Sequence, residues 1–222
     1  MSATNYITSS VILGGWEIIL IFAIILILFQ GRMFGEHRPQ EPNDSPSLTH
    51  ADLLLWIAQG FGVGRIPFGP GTFGSVVGVI WFALLLLTQS VWVLLAGTVA
   101  GVALSVWLCG IAEDILKQND PGSVVLDEIA AMPVCFFGWI GILMWKHGSF
   151  PGLEDFFGGH HWLVTLGVFA AFRFFDVTKP WPVRQSQALP RGWGITVDDV
   201  LAAVYVNVLV LAAYLAKTLL IK

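Results

Sequence analysis

Long apolar runs separated by short polar segments set the pattern of this chain. The runs cover residues 11–29, 76–88, 91–109, 129–145, 162–175 and 200–220. A bilayer core of about 30 Å needs roughly 20 apolar residues in a helix. The pattern therefore predicts an all-α, polytopic membrane protein with about six transmembrane helices. Segment 60–74 holds six glycines and two prolines, so we expect a re-entrant or interfacial loop there rather than regular helix.

Composition supports a membrane protein and excludes several other classes. Hydrophobic residues make up 56% of the chain and charged residues 12%, whereas soluble domains are about a quarter charged. A net charge of -4 gives no basic surface for nucleic acid, and we predict none as a partner. The two cysteines lie inside apolar runs, which does not favour a disulfide framework.

A polar segment with three prolines divides the chain near residue 50. We predict an N-terminal anchor helix and linker over residues 1–50, and a second unit over residues 51–222 that carries the chemistry. The first run has no basic residue before it and no cleavage site after it, so we expect a retained helix rather than a signal peptide. It would serve as an anchor or as a contact in a homo-oligomer. Glu17 within it is expected near the interface or against a neighbouring helix.

Lysine and arginine are unevenly divided between the two sides of the predicted helices. With both termini outside, three residues lie on the outer side: Lys146, Lys217 and Lys222. The other eight lie on the inner side: Arg32, Arg38, Arg65, Lys117, Arg173, Lys179, Arg184 and Arg191. Because positive charge accumulates in cytoplasmic loops, this bias places the Gly-rich segment and two other polar segments on the cytoplasmic face.

Five carboxylates lie in these polar segments, next to apolar runs: Asp127, Glu128, Asp176, Asp198 and Asp199. Taken singly, the acids fit helix capping or a surface ion-pair ladder. Brought together without cations they would repel one another, and hard oxygen ligands suit Mg²⁺. Such a cation can bind a phosphoryl oxygen and activate water. Arg173, Lys179 and Arg184 would then stabilise charge on a transferring phosphoryl group.

At these motifs the sequence resembles the phosphatidylglycerophosphatase A family of bacterial membrane phosphatases. The matching pieces are GFGVG at 60–64, PGTFGS at 70–75, DPGSVVLDE at 120–128, FRFFDVTKPWPVR at 172–184 and GWGITVDD at 192–199. Their order and spacing make the resemblance far more specific than any one motif. It covers the chain from about residue 51 to its end.

The resemblance implies a Mg²⁺-dependent hydrolase that converts phosphatidylglycerophosphate to phosphatidylglycerol in phospholipid metabolism. It would act from the cytoplasmic side of the inner membrane on a phospholipid held in the bilayer. It assigns metal binding or catalysis to Asp127, Glu128, Asp176, Asp198 and Asp199. It assigns phosphate and headgroup binding to Thr72, Arg173, Lys179 and Arg184.

The sequence departs from the family pattern at three places. Residues 1–50 are an addition, Ala131 stands where a glycine is frequent, and Pro190-Arg191-Gly192 replaces a His-Gly-Gly approach. Two alternatives remain: a small cation-coupled transporter, or another Mg²⁺-dependent lipid-headgroup enzyme. A transporter would place its acids near mid-helix, and a headgroup transferase would carry a spaced Asp-x-x-Asp pattern, which this chain lacks.

Overall fold

The computed structural model describes residues 50–220, and this part of the chain is helical with no strand. The helices are α1 (His50–Ala58), α2 (Pro70–Leu87), α3 (Val91–Leu116), α4 (Leu126–Cys135), α5 (Phe137–His147), α6 (Glu154–Phe157), α7 (Trp162–Thr178), α8 (Val183–Ser186) and α9 (Gly192–Leu220). A short 3₁₀ helix covers Val63–Arg65. The predicted all-α class is confirmed.

Within residues 50–220, four helical segments are long and apolar enough to cross a membrane, namely α2, α3, the pair α4–α5 and α9. Large apolar side chains such as Trp92, Val99 and Leu219 are exposed on α3 and α9, as lipid-facing residues would be. Helix α7 has 17 residues and is about 26 Å long, short of a bilayer core of about 30 Å. The apolar run 11–29 and the proposed linker lie outside the described residues, so the total of about six helices stays a prediction.

Helix α2 begins at Pro70, earlier than the sequence suggested. We expected no regular helix over segment 60–74, and this was wrong for residues 70–74. Proline at the first helical position is favourable because it needs no N–H partner there. The glycines that follow allow close packing on α4: a Cβ at Gly78 would lie 2.6 Å from the Cβ of Met132. The glycines of this helix therefore allow α2 and α4 to pack closely.

The predicted single run 129–145 is divided into α4 and α5 at Phe136. Asn207 of α9 inserts its amide at the break. Its Oδ1 accepts the N–H of Gly138 at 2.5 Å, and its Nδ2 donates to the carbonyl of Val134 at 2.8 Å. In an uninterrupted helix those two backbone groups would bond to each other. The amide thus satisfies backbone groups that water cannot reach inside a membrane, and it joins α9 to α4–α5.

The three polar segments meet at one end of the helices, as their predicted placement on one face requires. The side chain of Gln59 donates to Ser123 Oγ at 3.2 Å. Gln187 Nε2 donates to Asp120 Oδ2 at 3.5 Å. A Cβ at Gly64 would lie 1.9 Å from the carbonyl oxygen of Ser123, so the Gly-rich loop lies directly on the segment that precedes α4.

Candidate active site

Helices α4 and α9 carry four of the five predicted acids. Asp127 and Glu128 are the second and third residues of α4, in its first turn. Asp198 and Asp199 are the seventh and eighth residues of α9. Capping therefore remains compatible with the first pair only, because capping effects are confined to the terminal turn. Asp198 and Asp199 are buried inside the bundle and need another explanation.

Asp127, Glu128 and Asp199 form a compact carboxylate trio. Each offers an oxygen that lies within 4.8 Å of the oxygens offered by the other two. Asp127 is 7% exposed and Asp199 only 2%. One oxygen in each of the three, Asp127 Oδ1, Glu128 Oε2 and Asp199 Oδ2, is buried and has no hydrogen-bond partner.

Buried carboxylate oxygens without a partner are costly, and three of them side by side are more so. A cation bound between them removes both the repulsion and the missing contacts. The donor set consists of oxygen atoms only, which suits a hard divalent cation. The trio can therefore hold a metal ion, and its orphaned oxygens are the observation that favours one.

Arg173 of α7 joins this trio to its surroundings. Its Nη1 lies 2.8 Å from Asp176 Oδ2 and 3.7 Å from Glu128 Oε1. The same nitrogen donates to Ser75 Oγ of α2 at 3.2 Å. Arg173 and Asp176 stand three residues apart on one helix face, as the sequence indicated. Ser75 was not predicted as a site residue, because nothing in the motif PGTFGS separates a hydroxyl that orients an arginine from one that packs.

Lys179 pairs with the fourth acid. It follows the last residue of α7 in a left-handed conformation, and its Nζ lies 2.5 Å from Asp198 Oδ2. Burial lowers the pKa of Lys179, but the hydrogen bond and charge of Asp198, with the charges of Asp176 and Asp120, outweigh it and raise the pKa above its usual value. Lys179 therefore stays protonated and neutralises Asp198.

Helix α2 approaches the acids through Gly71. A Cβ at this position would lie 2.1 Å from Glu128 Oε1 and 3.2 Å from Arg173 Nη2. Only glycine leaves room for both groups. The amino end of α2, where the helix dipole is positive, is thereby held beside the carboxylates.

Two predicted residues lie apart from the cluster. Thr72 is exposed on the first turn of α2, and its backbone N–H donates to the carbonyl of Gly69. Arg184 is exposed on α8. Both belong to the end of the bundle that holds the acids, but the described contacts do not bring their side chains to the trio. Their assignment to phosphate binding stays a prediction.

Comparison with known proteins finds relatives along most of the chain. The family model described as phosphatidylglycerophosphatase A matches residues 56–214. A phosphatidylglycerophosphatase A of Haemophilus influenzae is 37% identical over 78% of this chain and 95% of its own length. The protein of that name from Escherichia coli is 30% identical over 67% of this chain and 76% of its own length.

A third relative carries a different name. It is a Bacteroides thetaiotaomicron protein named as a candidate phosphatidylinositol-3-phosphatase, 34% identical over 72% of this chain and 93% of its own length. No solved structure matches the chain. These names describe phosphatases that act on two different phospholipids.

Proposed function

The chain is a membrane phosphatase of the phosphatidylglycerophosphatase A family, and from this premise we propose that it removes the terminal phosphate of phosphatidylglycerophosphate. The products are phosphatidylglycerol and inorganic phosphate. The observation that carries the proposal is the carboxylate trio Asp127, Glu128 and Asp199, each of which has a buried oxygen without a hydrogen-bond partner. A phosphoryl group and a divalent cation are mutually compatible occupants of such a site.

Mg²⁺ is the cation we propose, held by Asp127, Glu128 and Asp199. Carboxylate oxygens are its preferred protein ligands, and it usually binds through a few carboxylates together with substrate phosphate. When bound, Mg²⁺ supplies charge stabilisation for the phosphoryl oxygens and a more acidic water. Asp176 and Asp198 lie outside this trio and are in short contact with Arg173 and Lys179, so they are less suited to bind the metal directly.

Arg173 and Lys179 are the groups we assign to the phosphoryl oxygens. Each is already held beside the acids by an ion pair, so neither has to be ordered when the lipid arrives. Arginine presents several N–H donors in a fixed plane, which suits a phosphate with three oxygens. Charge that develops on the transferring group would be stabilised by these two side chains.

We propose direct hydrolysis without a covalent intermediate. A water oxygen bonds to phosphorus while the bond from phosphorus to the headgroup oxygen breaks. One carboxylate of the cluster accepts a proton of the water and then gives it to the departing headgroup oxygen, which becomes a hydroxyl. Water, rather than a cysteine, is the nucleophile we favour, because Cys109 and Cys135 are both buried.

The cytoplasmic face of a bacterial inner membrane is the location we propose for this reaction. Arg65, Lys117, Arg184 and Arg191 lie in the segments around the acids, which fits the rule that positive charge stays inside. The acyl chains would remain in the bilayer while the charged headgroup reaches the polar end of the helices.

Hydrolysis of phosphatidylinositol 3-phosphate is the second candidate function. The relative named as a candidate phosphatidylinositol-3-phosphatase matches this chain over 93% of the relative's own length. The same acids and cations would act on a phosphomonoester attached to an inositol ring. Only the groups around the rest of the headgroup would need to differ.

Phosphate release from purified full-length protein in detergent micelles tests both candidates. Phosphatidylglycerophosphate and phosphatidylinositol 3-phosphate are supplied separately, with Mg²⁺ or with EDTA. We expect Mg²⁺-dependent release from the first lipid, and loss of release in Asp127→Asn and Asp198→Asn proteins that still elute as folded monodisperse species. Release only from the inositol lipid would replace the first candidate by the second. Release that persists in EDTA would refute the metal assignment.

A further inference from the structure

A polar cleft opens beside the acid cluster, at the amino end of α9. It has a volume of about 330 Å³. One wall comes from the carboxyl end of α3 and the segment after it, and the other from the segment before α9. The polar groups that line it are Glu113, Asn119, Asp120, Gln187 and Arg191.

Hydrogen bonds hold the walls of this cleft in place. Gln187 Nε2 donates to Asp120 Oδ2 at 3.5 Å across the cleft. The backbone N–H of Asp120 donates to Glu113 Oε1 at 3.1 Å. Arg191 forms an ion pair with Asp114 on α3. The cleft is therefore formed by side chains with defined partners on both sides.

The floor of the cleft leads to the acids along one face of α9. Gly194 and Ile195 line the cleft. Asp198 lies four residues after Gly194, and Asp199 lies four residues after Ile195. Residues four apart on a helix lie one above the other, separated by about one turn of 5.4 Å.

Glycine at position 194 allows this arrangement. A Cβ there would lie 2.7 Å from the carbonyl oxygen of Leu189 and 3.0 Å from that of Gln187. The segment that carries Gln187 can therefore lie directly on the first turn of α9. This holds the backbone of Gln187 beside the row that leads to Asp198.

We propose that this cleft binds the hydroxyl-bearing part of the lipid headgroup, next to the phosphate that is removed, and so sets headgroup specificity. The inference rests on the proposed function of the acid cluster. Glu113 and Asp120 give the cleft two carboxylates against the single cation Arg191, which already has a partner. Such a lining repels a second phosphate but accepts hydrogen bonds from neutral hydroxyls. The glycerol that links the two phosphates of phosphatidylglycerophosphate offers a hydroxyl of this kind.

Two substitutions test the cleft without touching the acid cluster. Gln187→Ala removes an exposed amide from one wall. Asp120→Asn removes the charge from the other wall, and asparagine tolerates the positive φ of 46° found at position 120. Gln185→Ala is the matched control, because Gln185 is an exposed glutamine of α8 that does not line the cleft.

The measurement compares phosphatidylglycerophosphate with phosphatidic acid, which has a phosphomonoester and no headgroup glycerol. Phosphatidic acid is used as a substrate or, where its turnover is slow, as a competitive inhibitor whose Ki is measured. We expect each cleft variant to lower kcat/KM for phosphatidylglycerophosphate about tenfold, as for the loss of one charge-assisted hydrogen bond. The kcat/KM or Ki for phosphatidic acid and all values of the control should stay within about twofold.

Three outcomes decide the matter. Selective loss with the glycerol-containing lipid supports the cleft as the headgroup site. Equal loss with both lipids, or no loss with either, in an active enzyme overturns this inference and leaves the proposed function standing. A wild-type protein that releases no phosphate from phosphatidylglycerophosphate defeats the proposed function itself, and the inference with it.

Discussion

Substitution of Gly71 by alanine should separate the catalytic geometry from the stability of the fold. The added Cβ would lie 2.1 Å from Glu128 Oε1, which is 0.9 Å short of the 3.0 Å that such contacts keep. It would also lie 3.2 Å from Arg173 Nη2. Either the carboxylate or the helix must move, and the carboxylate is the easier of the two because it ends a flexible side chain.

The expected effect follows from these distances. A shift of about 1 Å in a catalytic group costs roughly 100-fold in rate, so kcat of Gly71→Ala should fall by about that factor. The fold should survive, because alanine is favoured over glycine in a helix by about 0.5–1 kcal/mol, which offsets part of the crowding. Gly74→Ala should differ, since its Cβ would lie 2.8 Å from the Cβ of Val125 and 3.2 Å from the Val125 carbonyl oxygen. Backbone cannot move so easily, and that variant should lose stability as well.

Phosphate release at saturating lipid and thermal unfolding in detergent check both parts. Gly167→Ala in α7 is the control, because a Cβ there meets nothing within 4 Å. It should match the wild type in both measurements. Activity of Gly71→Ala within about twofold of the control would refute the reasoning, since Glu128 would then tolerate displacement and could not be a group whose position matters.

Three further substitutions test other contacts. Asn207→Leu leaves the backbone N–H and carbonyl at the α4–α5 break without partners. The free energy of unfolding, measured by denaturant titration, should fall by about 2 kcal/mol. Unchanged stability would contradict the role given to this amide. Arg173→Lys keeps the charge but loses the planar guanidinium, whose second terminal nitrogen Nη2 lies beside Gly71, so kcat for phosphate release should fall about tenfold. A normal kcat would show that a point charge is sufficient at this position. Gly64→Ala would place a Cβ 1.9 Å from the carbonyl oxygen of Ser123, whereas the Cβ of Gly122→Ala meets nothing within 4 Å. Only Gly64→Ala should lower the melting temperature. Equal melting temperatures for the two variants would mean that the Gly-rich loop can move away from Ser123.

Much of the architecture could be predicted because apolar length and motif order are properties of the sequence itself. The apolar runs in the described residues became helices, and the polar segments between them meet at one end. The start of α2 at Pro70 was missed because six glycines were read as helix breakers. In the protein those that follow Pro70 pack against α4, and this tertiary contact outweighs their low helix propensity. The break at Phe136 was also missed, since its partner Asn207 is distant in sequence.

The sequence predicted that the acids would gather at one end of the helices but not how they would be arranged. Sequence grouped five acids, but it could not show that three of them form a trio while Asp176 and Asp198 are paired with Arg173 and Lys179. That division depends on which helix faces are turned toward each other. Ser75 was overlooked for the same reason, because its partner Arg173 lies 98 residues away.

Binding of Mn²⁺, used as a paramagnetic substitute for Mg²⁺, tests the central claim that the carboxylate trio holds a divalent cation. Electron paramagnetic resonance of the purified full-length protein in detergent measures free against bound Mn²⁺ during a titration. Glu128→Gln is compared with Glu154→Gln, an exposed glutamate on α6 outside the trio. We predict that the wild type and Glu154→Gln bind Mn²⁺ at a saturable site and that Mg²⁺ displaces the bound Mn²⁺. Glu128→Gln should bind Mn²⁺ at least about tenfold more weakly. Equal Mn²⁺ binding by both variants, or no saturable binding by the wild type, would contradict the account.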